Sequence, residues 1–186
     1  MYHGLGAHYN DFMEEWQPLT ELEQVLDRYG VDTGVKKLRS WLERDPHPLG
    51  WYNLGILEKR RGRLLDALEA FERAADLAPD KPEIWNEIGL VYDEQGRLSA
   101  AEEHYRKAVE LDPEFARAWN NWGVTAFMRG DLSTAKVRFE RATELDAESE
   151  SAWFNLRDVC NQIGDLAGAE RAQAMIDEIG VDEDDA

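Results

Sequence analysis

Residues 119–130 read WNNWGVTAFMRG, and the same frame returns as WYNLGILEKRRG at 51–62, WNEIGLVYDEQG at 85–96 and WFNLRDVCNQIG at 153–164. The four leading tryptophans, Trp51, Trp85, Trp119 and Trp153, stand 34 residues apart. The same step aligns Leu54, Ile88, Trp122 and Leu156, then Gly55, Gly89 and Gly123, where Arg157 breaks the column. Each frame closes on a glycine: Gly62, Gly96, Gly130 and Gly164. Further along come Ala67, Ala101, Ala135 and Ala169, then Phe71, Tyr105, Phe139 and the exception Gln173. Pro79 and Pro113 end the first two units, and Ala147 stands there in the third. A fixed period of this size means that each unit is one supersecondary piece. Such a piece cannot bury its apolar face alone and must stack on its neighbours.

Within each unit the Trp, Leu, Gly and following positions fall at i, i+3, i+4 and i+7, which is one narrow helical stripe. The closing glycine suits the left-handed position just past a helix C-terminus. A second amphipathic segment follows, with Leu64, Ala67, Leu68, Phe71 and Ala74 in the first unit. Its small residues let two antiparallel helices approach closely, and the aromatic fills the gap beside them. Trp85 is expected to be buried between the helices of its unit and against a neighbour. Arg157 and Gln173 give the last unit a polar outer face, as a terminal repeat requires.

The pattern W-x2-L-G-x2-Y, then A-x3-F, then P, resembles the tetratricopeptide repeat over residues 48–81, 82–115, 116–149 and 150–183. The resemblance implies an all-α fold: a right-handed superhelical stack of antiparallel helical hairpins. Its first helices would line a concave groove that holds a peptide or protein segment. Residues 19–47 read as a degenerate capping hairpin. Thr20-Glu21-Leu22-Glu23 fits a capping box, and Leu22, Val25, Leu26 and Tyr29 follow at helical spacing. Gly30 ends that helix; Asp32 or Thr33 can cap the next, which carries Val35, Leu38, Trp41 and Leu42. Ten helices in one domain are expected. Residues 1–18 form an aromatic-rich segment (Tyr2, Tyr9, Phe12, Trp16) made pliable by Gly4 and Gly6, and residues 184–186 an acidic tail.

Composition narrows the partners. Asp and Glu outnumber Lys and Arg by 39 to 21, a net charge of −18. That balance opposes nucleic acid and anionic membranes, both of which need clustered cations. It favours neutral or basic proteins. Cys160 is the lone cysteine, so neither a disulfide framework nor a cysteine zinc site can form. MYHGLGAHYNDF lacks the basic and apolar regions of a secretory signal, and no apolar run reaches membrane-spanning length. A soluble, cytoplasmic protein is expected. No P-loop, dinucleotide fingerprint, nucleophile elbow or HExxH occurs, so no enzyme, cofactor or metal site is expected. His3, His8 and Asp11 could bind a metal only weakly, from a flexible tail, and His104 is expected to be solvated. Cys160 falls in a core column and reads as an inert small hydrophobe.

On a helical wheel with Trp119 at zero, Trp122, Gly123, Ala126 and Gly130 lie within about 60°. Asn120, Asn121, Val124, Phe127 and Met128 fall at about 80–200°, the side that the resemblance assigns to the groove. The column Asn53, Glu87, Asn121 and Asn155 could form a ladder of carboxamides for a peptide backbone, as in some members of the family. Alternatively, each amide bonds a neighbouring repeat. The other groove candidates are Tyr52, Ile56, Lys59 and Arg60 in the first repeat and Glu83, Asn86, Leu90, Asp93 and Glu94 in the second. Arg117 joins them from the third, and Phe154, Asp158 and Asn161 from the fourth. The groove thus has a basic end, an acidic middle suited to a Lys or Arg of the ligand, and an apolar stretch. Phe127, Met128 and Phe154 serve either the groove or the packing of the next repeat. Family members that grip the C-terminal carboxylate of chaperone tails use Lys and Asn from the first repeat, Asn from the second, and Lys and Arg from the third. The corresponding residues here are Tyr52, Ile56, Glu87, Arg117 and Asn121. The first two cannot ion-pair with a carboxylate and Glu87 would repel it, so that ligand is disfavoured. The expected function is a non-catalytic adaptor. The alternatives are a scaffold that self-associates through the N-terminal segment or the groove, and a non-catalytic subunit of a larger enzyme complex.

Overall fold

The computed structural model describes residues 18–184, and burial of side chains is defined for Leu22 and for most of residues 24–180. The aromatic segment before Pro18, the His3, His8 and Asp11 trio, the side chains of the Thr20–Glu23 capping box and the final acidic residues lie outside that description. Among the described residues every regular element is helical. Ten helices run in order: α1 Pro18–Tyr29, α2 Val31–Leu42, α3 Pro48–Arg60, α4 Leu64–Leu77, α5 Pro82–Glu94, α6 Leu98–Leu111, α7 Ala116–Met128, α8 Leu132–Leu145, α9 Glu150–Ile163 and α10 Leu166–Asp184. The chain divides into two compact units, Met1–Ile84 and Trp85–Ala186. The boundary falls inside α5. Repeats contact only their neighbours, so a solenoid has few long-range contacts to bind distant parts into one core.

The helix ends follow from glycine. Gly130 has φ of 78°, a left-handed conformation that costs an L side chain steric strain. Its N–H donates to Phe127 O and the next N–H, from Asp131, donates to Ala126 O. These two bonds satisfy carbonyls that the helix end would orphan. The same pair of bonds recurs at Gly62, Gly96 and Gly164. Gly30, with φ of 77°, does double duty by ending α1 and opening α2 at Val31. Asp32 and Thr33 therefore lie inside the first turn of α2, and neither is its cap. Thr33 Oγ1 donates back to Tyr29 O.

In the first unit, Leu22, Leu26, Val35, Leu38, Leu42, Leu54, Leu57 and Ala70 form one cluster, with Trp41 and Trp51 against it. The α1–α2 hairpin is thus packed on the first repeat as another layer. It is also tied there by charge. Glu58 is wholly buried on α3 and accepts from Arg39 of α2 at 2.9 Å and from Arg61 at 2.8 Å. Two charge-assisted hydrogen bonds offset the desolvation of that carboxylate.

In the second unit, Ala126, Ala135, Phe139, Leu156, Val159, Cys160, Ala169 and Ala172 make the core between the last two repeats. The glycine and aromatic columns explain each other here. A Cβ built on Gly123 would sit 2.5 Å from the Phe139 ring, and one on Gly89 would sit 2.6 Å from the Tyr105 ring. Only a bare backbone allows the ring to lie there. The tryptophan column is less buried than expected. Trp85, Trp119 and Trp153 are all half-exposed. Trp119 and Trp153 lay their rings over the preceding loop and donate Nε1–H to Pro113 O at 3.0 Å and Ala147 O at 2.8 Å. His104 is likewise not fully solvated: its ring lies between Trp85 and Tyr92, and Nδ1 is 2.8 Å from Ala100 O. Cys160 is buried, and burial pushes its thiol above the ordinary range, so it stays protonated.

Candidate functional site

The expected groove residues of the first unit split by depth. Tyr52 and Asn53 are buried, Ile56 and Lys59 half-buried and Arg60 exposed. Asn53, only 2% exposed, turns its Nδ2 to Leu49 O one turn back, at 2.8 Å. It is therefore no rung presented to a ligand. Tyr52 meets the Phe71 ring edge-on at 5.6 Å. The wheel placed both on the ligand side, but a stacked helix is covered on more than one flank. Glu83, on the first turn of α5, keeps Oε2 out of water without a hydrogen-bond partner.

In the second unit the first helices α5, α7 and α9 carry the remaining candidates. Asn86 and Glu87 are buried, Leu90 and Asp93 half-buried and Glu94 exposed. On α7, Arg117 and Met128 are exposed, whereas Asn120, Asn121, Val124 and Phe127 are half-buried. On α9, Phe154 and Asn155 are half-buried and Asp158 and Asn161 exposed. Val124 and Phe127 pack partly against the core of the last two repeats, which is the packing role considered for Phe127. The Arg157 guanidinium lies over the Phe154 ring, 4.7 Å from its centroid.

The amides have definite partners. Asn121 Nδ2 donates to Asn86 Oδ1 at 2.9 Å, and Asn155 Nδ2 donates to Asn120 Oδ1 at 2.9 Å. Both bonds join a first helix to the next first helix, 35 residues on. Of the two roles open to these asparagines, the structure displays the bond between repeats. Its effect is to lock the side chains of this face in one orientation.

Asp93 is the chemically distinctive group. Its Oδ2 accepts from Tyr105 Oη at 2.8 Å. The Thr125 hydroxyl lies 3.3 Å from Oδ1 and 3.2 Å from Oδ2. Both donors are neutral. Burial drives the Asp93 carboxyl above the usual carboxylate range, and the two hydroxyl hydrogen bonds only partly oppose the shift. Burial, then the charge and hydrogen bond of Asp93 and the charges of Glu87 and Glu94, push the Tyr105 phenol far up, so it remains a donor at any ordinary pH. Tyr105 and Thr125 escaped the sequence reading, although a tyrosine in a column of phenylalanines was the signal available.

A second polar cluster joins α6, α7 and α8. Glu102 accepts from Arg138 at 3.1 Å, Arg129 at 2.7 Å and Trp122 Nε1 at 3.3 Å. Arg138 also lies 3.8 Å over the Trp122 ring. Burial opposes the charge of Glu102, but hydrogen bonds from Arg138 and Trp122 and the two guanidinium charges outweigh it and hold the carboxyl low. Here the carboxylate is met by two cations, in contrast to Asp93. Among the described residues no group of three or more His, Cys, Asp or Glu is placed to hold a metal ion. None of the described helices is long and apolar enough to cross a membrane.

No curated protein matches the chain by sequence. Among solved structures it is similar to MamA 41-end from Desulfovibrio magneticus RS-1, at 19% identity and a TM-score of 0.77, over 89% of this chain and 94% of that one. It is similar to pilF of Pseudomonas aeruginosa at 20% identity and TM-score 0.77, over 86% and 73%. The first TPR of Spaghetti (RPAP3), bound to the HSP90 peptide SRMEEVD, matches at 22% identity and TM-score 0.61, over 63% and 93%. At these identities the likeness shows the fold. The model of the tetratricopeptide repeat matches residues 22–82, 52–114 and 86–136, together well over half of the chain, so the protein belongs to the tetratricopeptide repeat family.

Proposed function

We propose that the protein is a non-catalytic adaptor that holds a peptide or protein segment against the first-helix face of α5, α7 and α9. The observation that carries this reading is the state of that face. Its side chains are fixed by the bonds Asn121–Asn86 and Asn155–Asn120, yet Glu94, Arg117, Met128, Asp158 and Asn161 remain exposed beside them. A face ordered in advance loses little side-chain entropy when a ligand arrives. A similar fold holds the peptide SRMEEVD in the Spaghetti complex, which supports the mode of binding. The ligand here differs in charge. Glu87, Asp93 and Glu94 suit a basic segment, and they oppose an acidic tail ending in a carboxylate. A cytoplasmic setting fits a chain whose lone cysteine is buried and reduced.

Affinity purification from the native host, followed by hydrogen exchange on the purified complex, tests the reading. Protection should concentrate on α7 and α9. Protection confined to the second helices α6, α8 and α10 would overturn it. Should the chain instead be a self-associating scaffold, light scattering would show a mass that rises with concentration and no foreign partner. A co-purifying enzyme whose contacts fall on the same face would identify the complex of which this adaptor is a subunit.

A further inference from the structure

The seam between α5 and α7 contains two polar positions that the protein leaves unfilled. Asn86 and Asp93 are seven residues apart on α5, two turns and about 10 Å along its axis. Their partners on α7, Asn121 and Thr125, are one turn apart. Both side chains therefore enter the same seam. Asn86 is 0% exposed and accepts from Asn121 through Oδ1, while its Nδ2 has no hydrogen-bond partner. A buried donor left empty is a rare and costly condition that calls for an occupant.

Asp93 is unfilled in charge. Among the described residues no cation reaches it. Tyr105 occupies Oδ2. The Thr125 hydroxyl has one proton to share between the two carboxylate oxygens and Asn121 O, which is also 3.2 Å away. Oδ1 is thus the oxygen with open capacity. The arrangement is particular to this repeat. Asp93 falls in the column of Lys59, Phe127 and Asn161, and Tyr105 in that of Phe71, Phe139 and Gln173. The carboxylate and the hydroxyl that engages it occur together, twelve residues apart, and in no other repeat of the chain.

We infer that this seam is a lysine-reading seat: the ammonium of a ligand lysine rests on Asp93 Oδ1, and a neighbouring main-chain carbonyl accepts from Asn86 Nδ2. The inference rests on the adaptor reading and narrows its ligand. The four-carbon stem of lysine, plus one residue of extended backbone at about 3.3 Å, covers the separation of the two positions. Arginine fits less well. A guanidinium binds a carboxylate best as a fork on both oxygens, and Tyr105 already holds one of them. A compact ammonium needs only the other.

Selection of displayed random short peptides on the full chain tests the seat, with Asp93→Asn and Tyr105→Phe selected in parallel. Asparagine keeps an acceptor for Tyr105, and phenylalanine is already the residue of this column in two other repeats, so both variants retain the fold. Wild type should enrich peptides with lysine at one fixed position, in preference to arginine. Asp93→Asn should lose that enrichment and bind the selected peptide about ten-fold or more weakly, as expected for loss of a charge-assisted bond. Tyr105→Phe frees Oδ2 and should shift the preference toward arginine. Enriched peptides without a basic position, or with one that persists in Asp93→Asn, would overturn the seat and leave the adaptor reading standing. An unchanged lysine preference in Tyr105→Phe would overturn the one-oxygen geometry. Failure to enrich any peptide on wild type would bring down the adaptor reading, and the seat with it.

Discussion

The third and fourth repeats place opposite chemistry at the same two positions. Gly123 faces Phe139 in the third; sixteen residues apart again, Arg157 faces Gln173 in the fourth. The glycine has no Cβ because the phenyl ring takes its space, and the ring is there because another repeat covers it. Among the described residues no helix follows α10. Arg157 Nη1 donates to Gln173 Oε1 at 2.9 Å, its other nitrogens donate to Asp158, and Gln173 donates to Asp177 at 2.7 Å. The apolar pair has been exchanged as a unit for a polar bridge that tolerates water. The glycine and the aromatic are thus one feature, kept or exchanged together. Traces of the interior pattern persist: Leu166, aligned with the partly buried Leu132, is 69% exposed.

This contrast can be broken at its strongest point first. Phe139→Ala should cost about 3–5 kcal/mol in a chemical denaturation experiment, since it empties a fully packed site. Gly123→Ala comes next, at about 1–3 kcal/mol, because the new methyl meets a ring that cannot withdraw from its core. A Gly123→Ala protein that melts like wild type would dissolve the link between the two columns.

The joints between repeats give a smaller and finer comparison. Asn121→Ala leaves the fully buried Asn86 with neither amide group paired, and should cost about 1–2 kcal/mol. Asn155→Ala strands the half-buried Asn120, which water can reach, so its cost should be below about 1 kcal/mol. Equal costs would mean that burial of the acceptor does not decide the strength of these joints.

Asp93→Asn should act in the other direction, with a modest gain at neutral pH. The folded carboxyl titrates above its unfolded value, so the native state binds the proton more tightly. Stability therefore falls as pH rises from the unfolded value through the raised folded one, and the deficit persists at neutral pH. Asparagine removes that deficit. The stability advantage of the variant should shrink as pH is lowered through the acid range, and melting curves across that range would show it. A pH-independent difference would place its cause outside titration. The smallest effect belongs to Arg157→Ala on the fourth repeat, within about 0.5 kcal/mol, because its bonds are partly exposed and water replaces them.

What the sequence determined by itself is everything that repeats. The period of 34, the helix pairs, the glycine that ends each first helix and the polar exchange in the last unit were all legible. Each is a local requirement stated several times, so chance agreement in one repeat is corrected by the others. The tertiary structure alone decided where the polar side chains go. A helical wheel assigns Asn121 a direction about its own axis, but its acceptor, Asn86, belongs to another helix. Asn53 shares the column of Asn121 and bonds its own helix instead. Thr125, outside the sector read as groove, meets Asp93 because α7 packs beside α5 at that level. The tryptophans mark the period most clearly, yet all four are only partly buried, and Trp119 and Trp153 bond the preceding loops. Periodicity reports how a chain turns; which atoms then meet depends on the separation and tilt of neighbouring helices, which are set by packing over the whole stack.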